Sequence, residues 1–154
     1  MAGVMVFIPT GRASWREAIE ATTSAHAPTP ALLEAFDLAP GDDAREEAQY
    51  AALTVASVTA LAHHGARFVL GAEVAPDQVD DSDDAGNGEV VVRGLRRAQI
   101  VSWFTDETPD HPAVRAAAAA ARCMSTEAAW HLDEVQTLIS EHALLWHAAE
   151  ELEN

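Results

Sequence analysis

The chain has 154 residues, of which 49% are hydrophobic and 22% charged, a composition typical of a globular protein rather than a disordered one. Nine basic residues, all arginine, stand against 25 acidic ones, so the formal net charge is −16. This charge argues against binding nucleic acid through its phosphates and against an anionic membrane surface, and the apolar runs are too short to span a bilayer.

The length and the cysteine content indicate how many domains the chain has and in which cellular compartment it lies. A chain of this size fits one domain, which we expect to cover residues 1–154. The single cysteine, Cys123, excludes an internal disulfide and fits a reducing compartment. No basic start precedes the first apolar stretch, so a signal peptide is not expected. We therefore expect a cytoplasmic protein.

Two apolar runs in the first half predict strands. Val4–Ile8 is rich in strand formers and reads as a strand buried on both faces, and Arg67–Val74 is a second such run. Because helices are expected between them, the order strand, helices, strand predicts a right-handed crossover and a parallel pair.

Capping signals predict three helices between these strands, separated by a connector at Ala25–Pro30. They run from a capping box at Ser14 to Thr22, from a Thr29-Pro30 cap to Phe36, and from Asp43 to a stop at Gly65.

The second half begins with an acidic loop at Pro76–Gly88. After it we expect strands at Glu89–Arg93 and Ala98–Thr105, an alanine-rich helix from Pro112 to about Cys123, and a long helix from Ser125 almost to Asn154. The predicted fold class is α+β, with a small mixed sheet of about four strands, helices packed on it, and a long C-terminal helix.

Motif tests predict no catalytic residue, no metal site and no cofactor. The acidic loop fails the calcium-loop template, because Ala85 and Val92 stand where oxygen ligands are required. Gly86 and Gly88 precede a strand and lack the third glycine of a dinucleotide fingerprint, so they predict a turn. His63 and His64 are expected at a helix end, where they suit the exposed carbonyls.

His142 is the most informative histidine in the sequence. It falls on the apolar stripe of the predicted last helix, beside Trp146. A core histidine hydrogen-bonded to the backbone or a carboxylate is the favoured interpretation, and an acid–base or pH-sensing role is the alternative. A His142 that lines an open cleft would favour a ligand-binding function, whereas a His142 buried in the core would argue against that function.

Arginines and tryptophans supply the other candidate contacts. The cluster Arg93, Arg96 and Arg97 could hold a carboxylate or phosphate, but pairing with the protein's own acids is the favoured interpretation. Trp130 is a candidate exposed anchor for a partner. We expect the remaining tryptophans, Trp15, Trp103 and Trp146, to be packed in the core. We also expect Cys123 to be an inert, packed cysteine.

Several segments resemble a family of small uncharacterised actinobacterial proteins. They are the strands Val4–Thr10 and Phe68–Val74, the helix start Gly41–Ala52, and the ending His142–His147 followed by Glu150–Leu152. The family usually has an aromatic residue where His147 stands here. The resemblance implies an α+β fold and a GC-rich actinobacterial host, and it carries no known activity or catalytic residue.

Two kinds of function follow from the sequence. The favoured hypothesis is a non-catalytic acidic interaction or regulatory domain that meets a basic protein. The alternative is a small enzyme or ligand-binding protein with a pocket near the C-terminal helix, lined by His142, Trp146 and the arginine cluster. Homodimerisation is compatible with either hypothesis.

Overall fold

The computed structural model describes residues 3–38, 45–82 and 87–152. In these residues the strands are β1 (Val4–Thr10), β2 (Thr22–His26), β3 (Phe68–Val74), β4 (Val79–Asp81), β5 (Glu89–Arg93), β6 (Ile100–Thr105) and β7 (Leu145–Ala148). The helices are α1 (Pro30–Ala35), α2 (Arg45–His64), α3 (Pro112–Ala121), α4 (Thr126–Trp130) and α5 (Asp133–Glu141).

One sheet of seven strands, in the order β4-β5-β2-β1-β3-β6-β7, forms the framework, and every neighbouring pair is antiparallel. The mixed sheet of about four strands and the parallel pair of β1 with β3 were therefore wrong predictions. In β1 and β3, Val4 lies opposite Val74 and Thr10 opposite Phe68. Since both faces of this sheet centre are covered, β1 and β3 carry the apolar runs that usually mark parallel strands.

Strand β2 explains why the direction of β3 was mispredicted. Its residues are small and polar, and the sequence predicted a helix to Thr22 and a connector from Ala25 instead. The helix at Trp15 is only a short 3₁₀ turn, Trp15–Ala18, and Ser14 makes no side-chain cap. β2 reverses the direction of the chain, so α1 and α2 connect β2 to β3, and these two strands run parallel to each other on either side of β1.

Helix α2 lies between the sheet and the other helices. Twelve of its 20 residues are buried. On one side Val55 packs in a cluster with sheet residues Phe7 and Val69, and on the other side Val58 packs in a cluster with α3 and α5. A helix that is apolar all round is expected to be buried on all sides. It ends where the sequence predicts, at a Gly65 with φ of +78°.

The opposite face of the sheet carries a second core. Ile8 and Leu70 pack there with Trp15 and Trp103, which are 2% and 6% exposed. The 3₁₀ turns Trp15–Ala18 and Ala149–Glu151 contribute residues to this core. The structure thus buries Trp15 and Trp103 as the sequence predicts.

The long C-terminal helix was a wrong prediction. Its span is divided into α4, α5, β7 and the turn Ala149–Glu151. The first break is Leu132, which is extended at φ −70° and ψ 138°, and the second is His142, at φ −131° and ψ 100°. Residues 125–154 contain no proline or glycine, so nothing in the local sequence marks these breaks.

The cap of α1 is the one that the sequence predicts. Thr29 caps this helix, since its Oγ1 accepts from the Leu32 N–H at 3.2 Å. The acidic loop contains the short strand β4. The predicted helix start at Asp43 lies outside the described residues. Within those residues, no helix combines the length and apolarity that crossing a membrane requires.

Candidate functional site

The arginine cluster does not converge on one site. Arg93 Nε lies 2.6 Å from the carboxylate of Asp80 on the neighbouring strand, and its guanidinium also donates to the backbone of Asp77. Arg97 donates to the carbonyl oxygen of Ala149 at 2.9 Å and lies over the Trp15 ring. Arg96 is exposed. Two of the three guanidinium groups thus contact the protein's own surface.

Trp146 and Trp130 lie in surroundings opposite to those expected. Trp146 is 63% exposed on the edge strand β7, so the prediction of a core residue was wrong. Trp130 is half-buried, and its ring makes an edge contact with Phe36 at 5.6 Å between centroids. Cys123, predicted to be packed, is exposed just after α3.

His142 lies at the end of α5 and lines an open cleft of about 180 Å³ together with His111, Glu141 and Glu107. The two imidazole rings are 4.6 Å apart between centroids. His111 Nδ1 accepts from the Ala113 N–H at 3.0 Å and thereby caps α3. That bond leaves Nε2 of a neutral His111 protonated, so this ring offers the cleft a donor and not a metal-binding lone pair.

A buried ion pair that sequence reasoning missed lies beneath this cleft. Arg67 and Asp106 are 3% and 4% exposed, and Arg67 Nε donates to Asp106 Oδ2 at 3.0 Å. The same guanidinium donates to the carbonyl oxygen of His142 at 2.7 Å. The pair joins the start of β3 and the end of β6 to the turn that follows α5. The only sign of this ion pair in the sequence was that Arg67 and Asp106 each lie at the end of a predicted strand.

His64 lies at the end of α2, where the sequence places it together with His63. Burial lowers the pKa of the His64 imidazole below its usual value, the neighbouring His63 lowers it further, and Glu17 acts in the opposite direction. Across the described ranges, no group of three or more histidine, cysteine or acidic residues is arranged to hold a metal ion.

A cavity with a volume of about 310 Å³ lies among α1, α2 and α4. Its apolar walls are formed by Phe36, Val55 and Trp130, and its polar side by Asn87, Thr126 and Glu127. His131 also contributes to the lining. Pockets of this size, with mostly apolar walls and a few polar groups, are typical of small-molecule sites.

A chain of hydrogen bonds connects this cavity to a fully buried histidine, His26. His26 Nε2 lies 3.0 Å from Thr59 Oγ1, which lies 2.7 Å from Thr126 Oγ1 in the cavity wall. On the other side of the ring, Nδ1 lies 3.1 Å from the backbone oxygen of Asn87, a second lining residue. The chain thus links β2, α2 and α4.

Sequence reasoning missed His26, Thr59 and Thr126 as a group. The three residues are separated by 33 and 67 positions, and no short motif connects them. His26 was expected in a connector, where a buried histidine would not be sought. The signal that existed was Thr59 on the buried helix α2, where a hydroxyl needs a hydrogen-bond partner.

The fold and this cavity together define an α+β protein with an antiparallel sheet, a central buried helix, and a small-molecule-sized cavity between helices. The model of a family of unknown function, DUF6912, matches residues 4–154, and the chain belongs to that family. Comparison with curated proteins and with solved structures gives no match. The resemblance to a family without known activity is thereby confirmed.

Proposed function

We propose that this protein binds a small organic molecule in the cavity among α1, α2 and α4. One observation carries the proposal: an aromatic-walled cavity contains a hydroxyl, that of Thr126, which is joined through Thr59 to the buried His26. This function is the ligand-binding part of the alternative drawn from the sequence, but the cavity lies elsewhere, and Trp130 lines it instead of His142, Trp146 and the arginine cluster.

The arrangement of the cavity suits a ligand with two different ends. An apolar or aromatic body would pack against the wall that Phe36 and Trp130 form together, their rings meeting edge to face. A hydrogen-bonding group would face Thr126 and Asn87. Because both residues belong to the His26 network, their positions are held by bonds to the sheet and to α2, as expected of a preorganised site.

Calorimetry and thermal unfolding with a library of small aromatic compounds test the proposal. A bound compound at a hundred times its dissociation constant should stabilise the protein by about 2.7 kcal/mol. Trp130→Leu and Thr126→Val should each weaken binding at least several-fold, since one removes an aromatic wall and the other a hydroxyl. Matched controls are Trp146→Leu on β7 and Thr137→Val on α5, which lie outside the cavity.

A library without any binder would reject the proposal. So would binders whose affinity is unchanged by Trp130→Leu, because they would then bind elsewhere on the protein.

A second function is favoured by a separate observation, the exposed apolar side chains of the edge strand β7. Leu145 and Trp146 are 40% and 63% exposed, and β7 carries no carboxylate or guanidinium. The net charge of −16 would attract a basic protein, and these exposed side chains would supply its apolar contacts. Salt-sensitive capture of a basic partner that is lost in Trp146→Ser would support this function, and capture unaffected by that substitution would contradict it.

A further inference from the structure

The hydrogen bonds between His26 and the cavity have a defined direction. The backbone oxygen of Asn87 can only accept, so His26 Nδ1 carries a proton wherever that bond is made. In a neutral imidazole the other nitrogen, Nε2, is then an acceptor. With the imidazole in this neutral form, its partner, the hydroxyl of Thr59, donates to Nε2.

This direction fixes what Thr126 presents to the cavity. A hydroxyl has one proton, and Thr59 uses it for His26, so the 2.7 Å bond between the two threonines requires Thr126 as the donor. The contact of Thr59 with the Val55 carbonyl, at 3.3 Å, is the longer alternative for the same proton. With its own proton engaged, Thr126 Oγ1 offers the cavity only lone pairs.

The other features of the cavity favour the same kind of ligand group. Glu127, next to Thr126 on α4, adds an acceptor with a negative charge, and no arginine lies among the described lining residues. Phe36 and Trp130 form the aromatic wall, and an aromatic ring attracts a cation that lies over its face. An anion in this position would face lone pairs and a carboxylate without any compensating donor from Thr126.

Resting on the proposed ligand-binding function, we infer that the ligand is a small organic cation: an apolar or aromatic body that carries an ammonium or a similar charged N–H donor. The body contacts Phe36 and Trp130, and the N–H donor is directed at Thr126 Oγ1 and the Glu127 carboxylate. The hydrogen-bond direction from His26 is what selects a donor over an acceptor.

Three probes of similar size test the inference: 2-phenylethylamine, 2-phenylethanol and 3-phenylpropionate. Binding is measured at pH 8 by ligand-observed NMR and calorimetry, because an ordinary imidazole, with a pKa of about 6.5, is neutral there, whereas an alkylammonium, with a pKa of about 10, stays charged. The amine should bind at least tenfold more tightly than the propionate, with the alcohol between them.

Two substitutions assign the preference to named groups. Glu127→Gln should reduce the preference for the amine over the alcohol at least threefold, and Thr126→Val should weaken both compounds. Glu141→Gln, which removes a carboxylate from the His142 cleft, is the matched control and should change neither.

Two results would overturn the inference and are distinguishable from each other. If the propionate binds as tightly as the amine and Trp130→Leu abolishes that binding, the cavity binds ligands but the inferred class is wrong. If none of the three probes binds, the cation inference fails, and the compound library then decides separately whether the cavity binds any ligand.

Discussion

At the scale of single residues, Arg67 and Asp106 form a charged pair in the protein interior. Both side chains are almost fully buried, and the guanidinium also binds the His142 carbonyl. Removing charges from water is costly, and the cost is offset only while each charge keeps its partner. The pair is therefore more important for holding the ends of β3, β6 and α5 together than for adding net stability.

Arg67→Met should lower the free energy of unfolding by about 3–5 kcal/mol, because it leaves the Asp106 carboxylate buried without its partner. The double variant Arg67→Met/Asp106→Leu should regain a large part of that loss, since no unpaired charge remains. Urea unfolding of the two variants measures both values. A double variant less stable than the single one would contradict this account of the pair.

The threonine between His26 and the cavity offers a second test at this scale. Thr59→Val preserves the side-chain shape but removes the hydroxyl that contacts both His26 and Thr126, and should cost about 1–3 kcal/mol. The matched control is Thr54→Val on the same helix, whose hydroxyl contacts only the Tyr50 backbone among the bonds described. Equal unfolding free energies for the two variants would argue against a role of the His26 chain in stability.

At the scale of elements, the apolar runs of the sequence predicted β1, β3 and β5 close to their observed bounds, and Gly65 predicted the end of α2. The elements that were missed carry little local signal: β2 is polar, and the breaks at Leu132 and His142 lack proline and glycine. The break at His142 leads into β7, which pairs with the distant strand β6, a tertiary contact. The helical spacing of apolar residues in the sequence does not show where a tertiary contact interrupts the helix.

A proline substitution distinguishes the observed break from a continuous helix. Asp133 is the first residue of α5, and Leu132 before it is extended, so Asp133→Pro should cost less than about 1 kcal/mol. Gln136→Pro, by contrast, removes the bond from the Gln136 N–H to the Leu132 carbonyl and should cost about 3 kcal/mol. Similar losses for both variants in thermal or urea unfolding would mean that the helix continues through Leu132.

At the scale of the whole molecule, the cavity lies where α1 and α4 meet α2. Strand β2 contributes His26, α2 contributes Thr59, and α1 and α4 contribute residues of the cavity wall. Trp130 was singled out from the sequence as a partner contact, but its neighbours in the cavity are distant in sequence. A single sequence does not show which distant residues meet, so the candidate site became visible only in the fold.

The measurement that tests the central claim most directly is an NMR titration of the four tryptophan indole N–H signals with 2-phenylethylamine. The Trp130 signal, assigned by its loss in Trp130→Leu, should shift in a saturable way, because this ring forms a wall of the cavity. The signal of the exposed Trp146 should stay in place. A bound probe that shifts Trp146 and leaves Trp130 unchanged would contradict ligand binding in this cavity.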